Sequence, residues 1–452
     1  MPLIRTDLQT YPSYQRPPGE DRARARLHLN EAPEGWPEAP RRALLERLAQ
    51  LPFQRYPERQ GELTERLARI LGAPEGGVLL GPSSGALLDL IALAGLDPGD
   101  AVAIPEPGFS LYPALAARHR ARALRVAVGD GFSLEPWLAL LEQACPRQLW
   151  LTLPNNPTGA WLSPECLQPL LEAAARQPEP PLVVLDEAYG EFAPRTHRLA
   201  VDRYPNLVLL RTFSKALASA GWRLGYAVGA PELIRALAAL QLPYSLPSPA
   251  LEALDVALDF PEAFAAQARR VPERRDRLAR ALGDRALNGG GNFLLVRPDP
   301  GPALAEAGLQ TRSLGGLGAG RITVGSEAEA RRTARALGAV LAAPEFREPR
   351  RLRVLGPGVS AGSAFTGLPP DWVGQPWDTA RLPAAEAAPH LRCPSPCGLL
   401  QLADEFRAVE IVFSGAGPAQ ALALDRARAA RPELSWRFAQ TLIATPVEGL
   451  QP

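Results

Sequence analysis

Between about residue 78 and residue 230, short unbroken apolar runs alternate with stretches whose apolar positions recur at helical spacing. "GGVLLGPSSGALLDLIALAGL" reads as strand, loop and helix, and "AVAIPEPGFSLYPALAARHRARALRVAV" as strand, loop, helix and strand. "QLWLTLPNNPTG", "PLVVLDEAYGEF", "NLVLLRTFSKA" and "LGYAVG" each read as a buried strand entering a turn. Continuous apolar strands separated by helices predict a mainly parallel sheet covered on both faces. Ligands of such sheets lie beyond the carboxyl ends of the strands. Residues 249–283 read as one long helix, with Phe264, Val271, Leu278 and Leu282 at near-heptad spacing and the arginines between them forming a solvated face. "GGGNFLLVRPDP" and "GRITVGSEAEARRTARAL" predict strand, strand and helix, a smaller α+β element set. A Pro- and Arg-rich break at 343–351 precedes a last segment, where "VEIVFSGAGPAQALALDRARAARPELSWRFAQTLI" reads as strand, glycine turn, helix and strand. No internal repeat is evident.

Composition narrows the class without naming the chemistry. A chain of 452 residues allows several domains and ample core. A net charge of +1 with 21% charged residues gives no sign of a polyanionic partner, so no nucleic acid is expected. No apolar run reaches membrane-spanning length, and the N-terminus lacks a basic start followed by an apolar core. A cytoplasmic protein with no membrane partner is expected. Cys145, Cys166, Cys393 and Cys397 do not make a disulfide framework. His390, Cys393 and Cys397, spaced by prolines, read as ordinary residues, and no metal is expected.

One residue type stands out. Of 49 lysines and arginines, Lys215 is the single lysine. Arginine supplies surface charge equally well but stays protonated in proteins, so it cannot serve as an amine nucleophile. Schiff-base chemistry needs a lysine amine. Lys215 is therefore either the catalytic amine or the remnant of a lysine-avoiding composition. Three further signals fall at strand ends: Asp186 in "VVLDEAYGEF", Asn156 in "PNNPTG", and Arg223, eight residues after Lys215 in "GWRLGY".

The ordered set N-P-T-G, D-E-A-Y and S-K followed by G-x-R-x-G-Y resembles the fold-type I, pyridoxal-phosphate-dependent aminotransferases, and among them the histidinol-phosphate aminotransferase family, over roughly residues 1–343. The resemblance implies an α/β fold. A large cofactor domain (46–261) would carry a mainly parallel seven-stranded sheet, and 1–45 with 262–343 would form a small α+β domain. The segment 350–452 lies beyond the resemblance and is expected to be an α/β appendage. Lys215 would hold the cofactor aldehyde and then move a proton at the substrate carbon. Asp186 would keep the ring nitrogen protonated, since a buried carboxylate favours the cation beside it. Asn156 and Tyr189 would contact the ring oxygen. Taken alone, Asn156 also suits a turn, and Tyr189 a core aromatic with a satisfied hydroxyl. Phe109 in "PEPGFSLY" matches the aromatic that stacks on the ring. Arg223, Thr212 and Ser214 would hold the phosphate. So would Ser84 and Gly85 in "GPSSGA", where relatives usually carry acids and this chain has none; an ordinary helix cap is the alternative. Tyr56 in "FQRYPE" matches a tyrosine that reaches the neighbouring subunit's cofactor phosphate, which implies a homodimer.

For the substrate, Arg321 in "GRITVGS" matches the arginine that receives an anionic group. Arg312 in "LQTRSLGG" and Tyr14 in "PSYQRPP" resemble contacts of the histidinol-phosphate branch, and "LHLNEAPEGWP" (27–37) resembles its entry segment. Two arginines suit a phosphate monoester as well as a carboxylate. The resemblance thus implies transfer of the amino group between histidinol phosphate and 2-oxoglutarate, in histidine biosynthesis. A threonine-phosphate decarboxylase, an aromatic aminotransferase, or a catalytically retired fold used for binding are the competing readings.

Overall fold

The computed structural model describes residues 25–343 and, beyond them, strand backbone at 351–355, 390–392, 410–413 and 435–438. The chain divides into two compact units, Met1–Pro344 and Glu345–Pro452.

The first unit opens with β1 (Ala25–Arg26), α1 (Glu38–Ala49) and α2 (Gln60–Leu71). Strands and helices then alternate: β2 (Val78–Gly81), α3 (Ser84–Gly95), β3 (Ala101–Glu106), α4 (Leu111–Arg118), β4 (Arg122–Ala127), α5 (Glu135–Ala144), β5 (Gln148–Thr152), α6 (Pro164–Ala175), β6 (Leu182–Asp186), β7 (Leu207–Thr212) and β8 (Gly225–Val228). Strands β2 to β8 make a seven-stranded sheet in the order β2-β8-β7-β6-β5-β3-β4, parallel except for β8. The apolar runs are continuous because both faces are covered. Val183 and Leu185 enter one core, with Leu149, Leu151, Leu207 and Leu209, while Val184 enters the other, with Trp150, Val208 and Leu210. Each such side chain contributes roughly 1.5–3 kcal/mol by leaving water. The carboxyl ends of the parallel strands share one edge, where Thr152 pairs in register with Asp186 and Thr212 with Gly225.

Then follow α7 (Pro231–Leu240), α8 (Ser248–Asp259), α9 (Pro261–Leu282), β9 (Ala286–Leu287), β10 (Phe293–Val296), α10 (Gly301–Glu306), β11 (Leu309–Gln310), β12 (Arg312–Leu314), β13 (Ala319–Thr323) and α11 (Glu327–Ala336). A second sheet runs β12-β13-β10-β9, and β1 pairs with β11. The single helix expected over 249–283 is two helices. Pro261 has no amide to continue the ladder and instead starts α9 at its first position. The heptad positions Phe264, Val271, Leu278 and Leu282 are buried as expected. The arginine face is solvated only in part: Arg269, Arg270 and Arg280 are exposed as expected, but three others are not. Arg274, Arg275 and Arg277 are also buried, because each guanidinium has a carbonyl and a carboxylate to satisfy it: Gly325 and Glu34, Gly291 and Asp276, Ala342 and Glu327.

The second unit contains β14 (Arg351–Leu355), β15 (His390–Arg392), β16 (Glu410–Phe413) and β17 (Ser435–Phe438), parallel in the order β15-β14-β16-β17. β16 and β17 coincide with the two strands read from the sequence. The glycine turn and helix read between them lie outside the described residues, as do Cys393 and Cys397.

Candidate active site

Asp186 ends β6 inside the protein, 7% exposed. Its Oδ2 accepts from the Tyr112 hydroxyl at 3.0 Å, and its Oδ1 from the Ala188 amide at 3.0 Å. The Tyr112 oxygen in turn lies 2.6 Å from Thr152 Oγ1 at the end of β5. Burial pushes the Asp186 carboxyl up to about 6, against those hydrogen bonds. A hydroxyl and an amide do not neutralise a carboxylate, so the site favours a cation placed against it. Glu187, the next residue, turns to a separate buried cluster. It accepts from the His197 amide at 2.7 Å and pairs with Arg211 at 2.6 Å. Burial would raise this carboxyl, but Arg211 and His197 outweigh it and hold it down at about 2. Two adjacent acids thus differ in charge balance because strand alternation sends them to different neighbours.

Lys215 follows β7, and its Nζ donates to the Leu29 carbonyl at 3.0 Å. Burial lowers its affinity for a proton to a pKa of about 7, aided by Arg321 and Arg223 and opposed by Glu31. Near neutral pH a substantial fraction of this amine is therefore unprotonated, as a nucleophile requires. Its Nζ lies 5.9 Å from the centre of the Tyr189 ring, which meets Phe293 edge-on.

Asn156 and Arg321 meet directly. Arg321 donates to Asn156 Oδ1 and to the His28 carbonyl, both at 2.6 Å, with its guanidinium over the Phe293 ring. The Asn156 amide then faces the Tyr189 hydroxyl at 3.4 Å, and Asn30 Nδ2 donates to that hydroxyl at 2.9 Å. Arg312 is the cross-strand partner of Arg321 in the β12–β13 ladder, so both arginines project from one face of the small sheet.

The opposite end of the site suits a dianion. Helix α3 begins at Ser84, and the Ser83 side chain accepts the Ala86 amide at 3.1 Å. The amides of Ser84 and Gly85 belong to the first turn, whose donors have no partner within the helix. Gly225 lies so close that a Cβ there would sit 2.5 Å from the Ser84 nitrogen. Thr212 Oγ1, 3.0 Å from Ser214 Oγ, adds two buried hydroxyls. Arg223, two residues before Gly225, is exposed, has a left-handed conformation at φ 55°, and donates to the Ala220 carbonyl at 3.1 Å. Phe109 is half-buried against Tyr112, with ring centres 5.7 Å apart. An uncompensated acid, a near-neutral amine and a helix terminus at one sheet edge fit the ring nitrogen, aldehyde and phosphate of pyridoxal phosphate.

Tyr56 lies apart from these groups. It is 71% exposed and stacked on Tyr244 at 4.3 Å. Tyr14 lies outside the described residues. Sequence reasoning gave no role to Tyr112, Thr152 or Asn30. The register of Thr152 with Asp186 is one signal, and the asparagine inside "LHLNEAPEGWP" is another. Among the described residues no group of His, Cys, Asp and Glu could hold a metal, and no helix is long and apolar enough to cross a membrane.

A family model described as aminotransferase class I and II matches residues 26–337. The chain is 33% identical over 326 residues to the histidinol-phosphate aminotransferase of Thermococcus kodakarensis, covering 72% of this chain and 94% of that protein. It is 34% identical to histidinol-phosphate aminotransferase 2 of Nitrosococcus oceani, over 72% and 94%. Among solved structures, the histidinol-phosphate aminotransferase of Sinorhizobium meliloti in complex with pyridoxal-5'-phosphate superposes with a TM-score of 0.67 at 25% identity, covering 75% of this chain and 97% of that one. A mutant aspartate aminotransferase of Thermus thermophilus gives 0.61 at 25% identity, over 75% and 98%.

Proposed function

Since this chain belongs to the class I and II aminotransferases, we propose that it is a pyridoxal-phosphate-dependent enzyme exchanging the amino group between histidinol phosphate and 2-oxoglutarate, as a step of histidine biosynthesis in the cytoplasm. The observation that carries this reading is the amine of the chain's one lysine, bonded to the Leu29 carbonyl beside the Tyr189 ring, whose hydroxyl meets the Asn156 amide that Arg321 holds.

When bound, the cofactor supplies an electron sink for the charge that develops at the substrate carbon. Asp186 would hold the proton on the ring nitrogen that makes the sink effective. Ser84, Gly85, Thr212, Ser214 and Arg223 would bind the phosphate, and Phe109 would cover the ring. Lys215 Nζ would hold the cofactor's aldehyde carbon and, when free, would take the proton from the substrate's Cα. Arg321 orients the anionic end of the substrate, and its bond to Asn156 ties that end to the ring side of the site. Arg312, beside it on the same sheet face, gives the second positive charge that a phosphate monoester needs. Tyr14 is assigned a substrate contact on the resemblance alone. Tyr56 would complete the phosphate site of a second subunit, so that the working form is a homodimer. The large domain is assigned to 46–261, and the small domain to 1–45 with 262–343.

The test is a visible spectrum of the purified protein with pyridoxal phosphate, followed by histidinol phosphate. Loss of the aldehyde band, its return with 2-oxoglutarate, and release of glutamate are expected. Release of CO₂ from threonine phosphate, or phenylalanine outcompeting histidinol phosphate, would replace the substrate assignment. No band at all would remove the enzyme reading.

A further inference from the structure

The Tyr189 hydroxyl receives two amide donors, and the orientation of each amide is fixed independently. Asn156 Oδ1 is taken by the Arg321 guanidinium, so its Nδ2 faces the hydroxyl. Asn30 is held by Thr323, whose Oγ1 accepts from the Asn30 backbone N–H at 3.0 Å and donates to Asn30 Oδ1 at 3.1 Å. Asn30 Nδ2 is thereby directed at Tyr189, 2.9 Å away. Asn30 is 1% exposed, its carbonyl accepts from Asn292 Nδ2 at 3.1 Å, and its backbone is left-handed at φ 53°. Asparagine is among the few side chains that tolerate that conformation, and the only common one that also brings an amide donor.

A phenolic oxygen has two lone pairs and one proton. With two donors pointed at it, its proton must go in a third direction. We infer that Asn30 is a positioning residue that compels the Tyr189 hydroxyl to act as a donor toward the cofactor's ring oxygen. It thereby sets how strongly that oxygen competes for the proton it shares with the Lys215 nitrogen. The inference rests on the cofactor reading above and goes beyond it. It assigns control of the site's proton affinity to a residue on the 27–31 segment that Thr323 of the small sheet holds in place. The charged groups around the same point are Lys215, 5.9 Å from the Tyr189 ring, Arg321 through Asn156, and Glu31 and Arg223, which act on Lys215. The substitutions below leave all four in place.

The experiment follows the pH midpoint of the visible absorbance change in holoenzyme. Asn30→Gly keeps the left-handed backbone and removes only the amide. The midpoint should rise by roughly half to one pH unit, about the worth of one hydrogen bond. Tyr189→Phe should move it the same way, and the double variant should move it no further than Tyr189→Phe alone. Thr323→Val, which releases the Asn30 amide, should give a smaller rise and covers the case in which Asn30→Gly does not fold. An unchanged midpoint in the folded variants, or shifts in Asn30→Gly and Tyr189→Phe that add, overturns the role of Asn30. Failure of wild-type protein to show any band, or to be tagged at Lys215 by borohydride, instead overturns the cofactor reading beneath it.

Discussion

Lys215 Nζ has an unusual low-polarity setting for an amine, with two guanidinium groups in the vicinity and one opposing carboxylate. Both burial and the like charges disfavour the ammonium, so proton loss comes at about 7 and not in the ordinary lysine range. The sign is testable on cofactor-free protein. Acylation of Lys215, read by peptide mass, should rise with pH through about 7 and then level off, because the amine is already neutral above that point. A rate still climbing toward pH 10 would refute the burial argument. Asp186 is displaced the other way, protonated below about 6. Cofactor affinity should therefore fall as pH drops through that value, since a neutral acid no longer attracts a ring cation. Asp186→Asn, which keeps the shape and loses the charge, should lower transamination by at least about 10²-fold and flatten that pH dependence.

At the level of elements, the phosphate end depends on how closely β8 approaches the start of α3. A methyl at Gly225 would meet the Ser84 nitrogen, the Ser83 carbonyl carbon and the Arg211 oxygen at 2.5–2.9 Å, all of them backbone atoms that cannot rotate away. Gly225→Ala should push the first turn of α3 off the sheet edge and weaken cofactor binding by about tenfold or more, measured by equilibrium dialysis, while the far-ultraviolet circular dichroism stays close to wild type. A variant that binds cofactor normally would mean that this turn does not hold the phosphate. The strands and helices around the site were legible in the sequence, because continuous apolar runs and helical spacing are local signals. The break at Pro261 was also written in the sequence, but the apolar periodicity on both sides masked it. The burial of Arg274, Arg275 and Arg277 was not legible. Carbonyls and carboxylates from distant positions, such as Gly325 and Glu327, make it tolerable, and no local pattern announces them.

At the scale of the molecule, Tyr56 and Tyr244 form an exposed stacked pair, and their chain neighbours Phe53 and Leu242 are 75% and 78% exposed. On the homodimer reading, Tyr56 serves the other subunit, and this makes a quantitative prediction. Tyr56→Ala and Lys215→Ala proteins, each impaired alone at limiting cofactor, should regain activity when unfolded and refolded together. Random pairing leaves one complete site in half of the dimers, so about a quarter of wild-type activity is expected. No recovery above the separate proteins would place Tyr56 outside the shared site.

The sequence by itself determined the chemistry at its core. A lone lysine, an acid ending an apolar strand and the N-P-T-G turn are short-range features, and their order along the chain was enough to indicate the fold and the cofactor. Only the tertiary structure decided which groups tune that chemistry. Asn30 reaches Tyr189 across 159 positions and is aimed there by Thr323 across 293. Tyr112 reaches Asp186 across 74. Hydrogen bonds at such separations follow from how sheets and connecting segments pack, and packing is a property of the folded chain that local residue patterns do not encode.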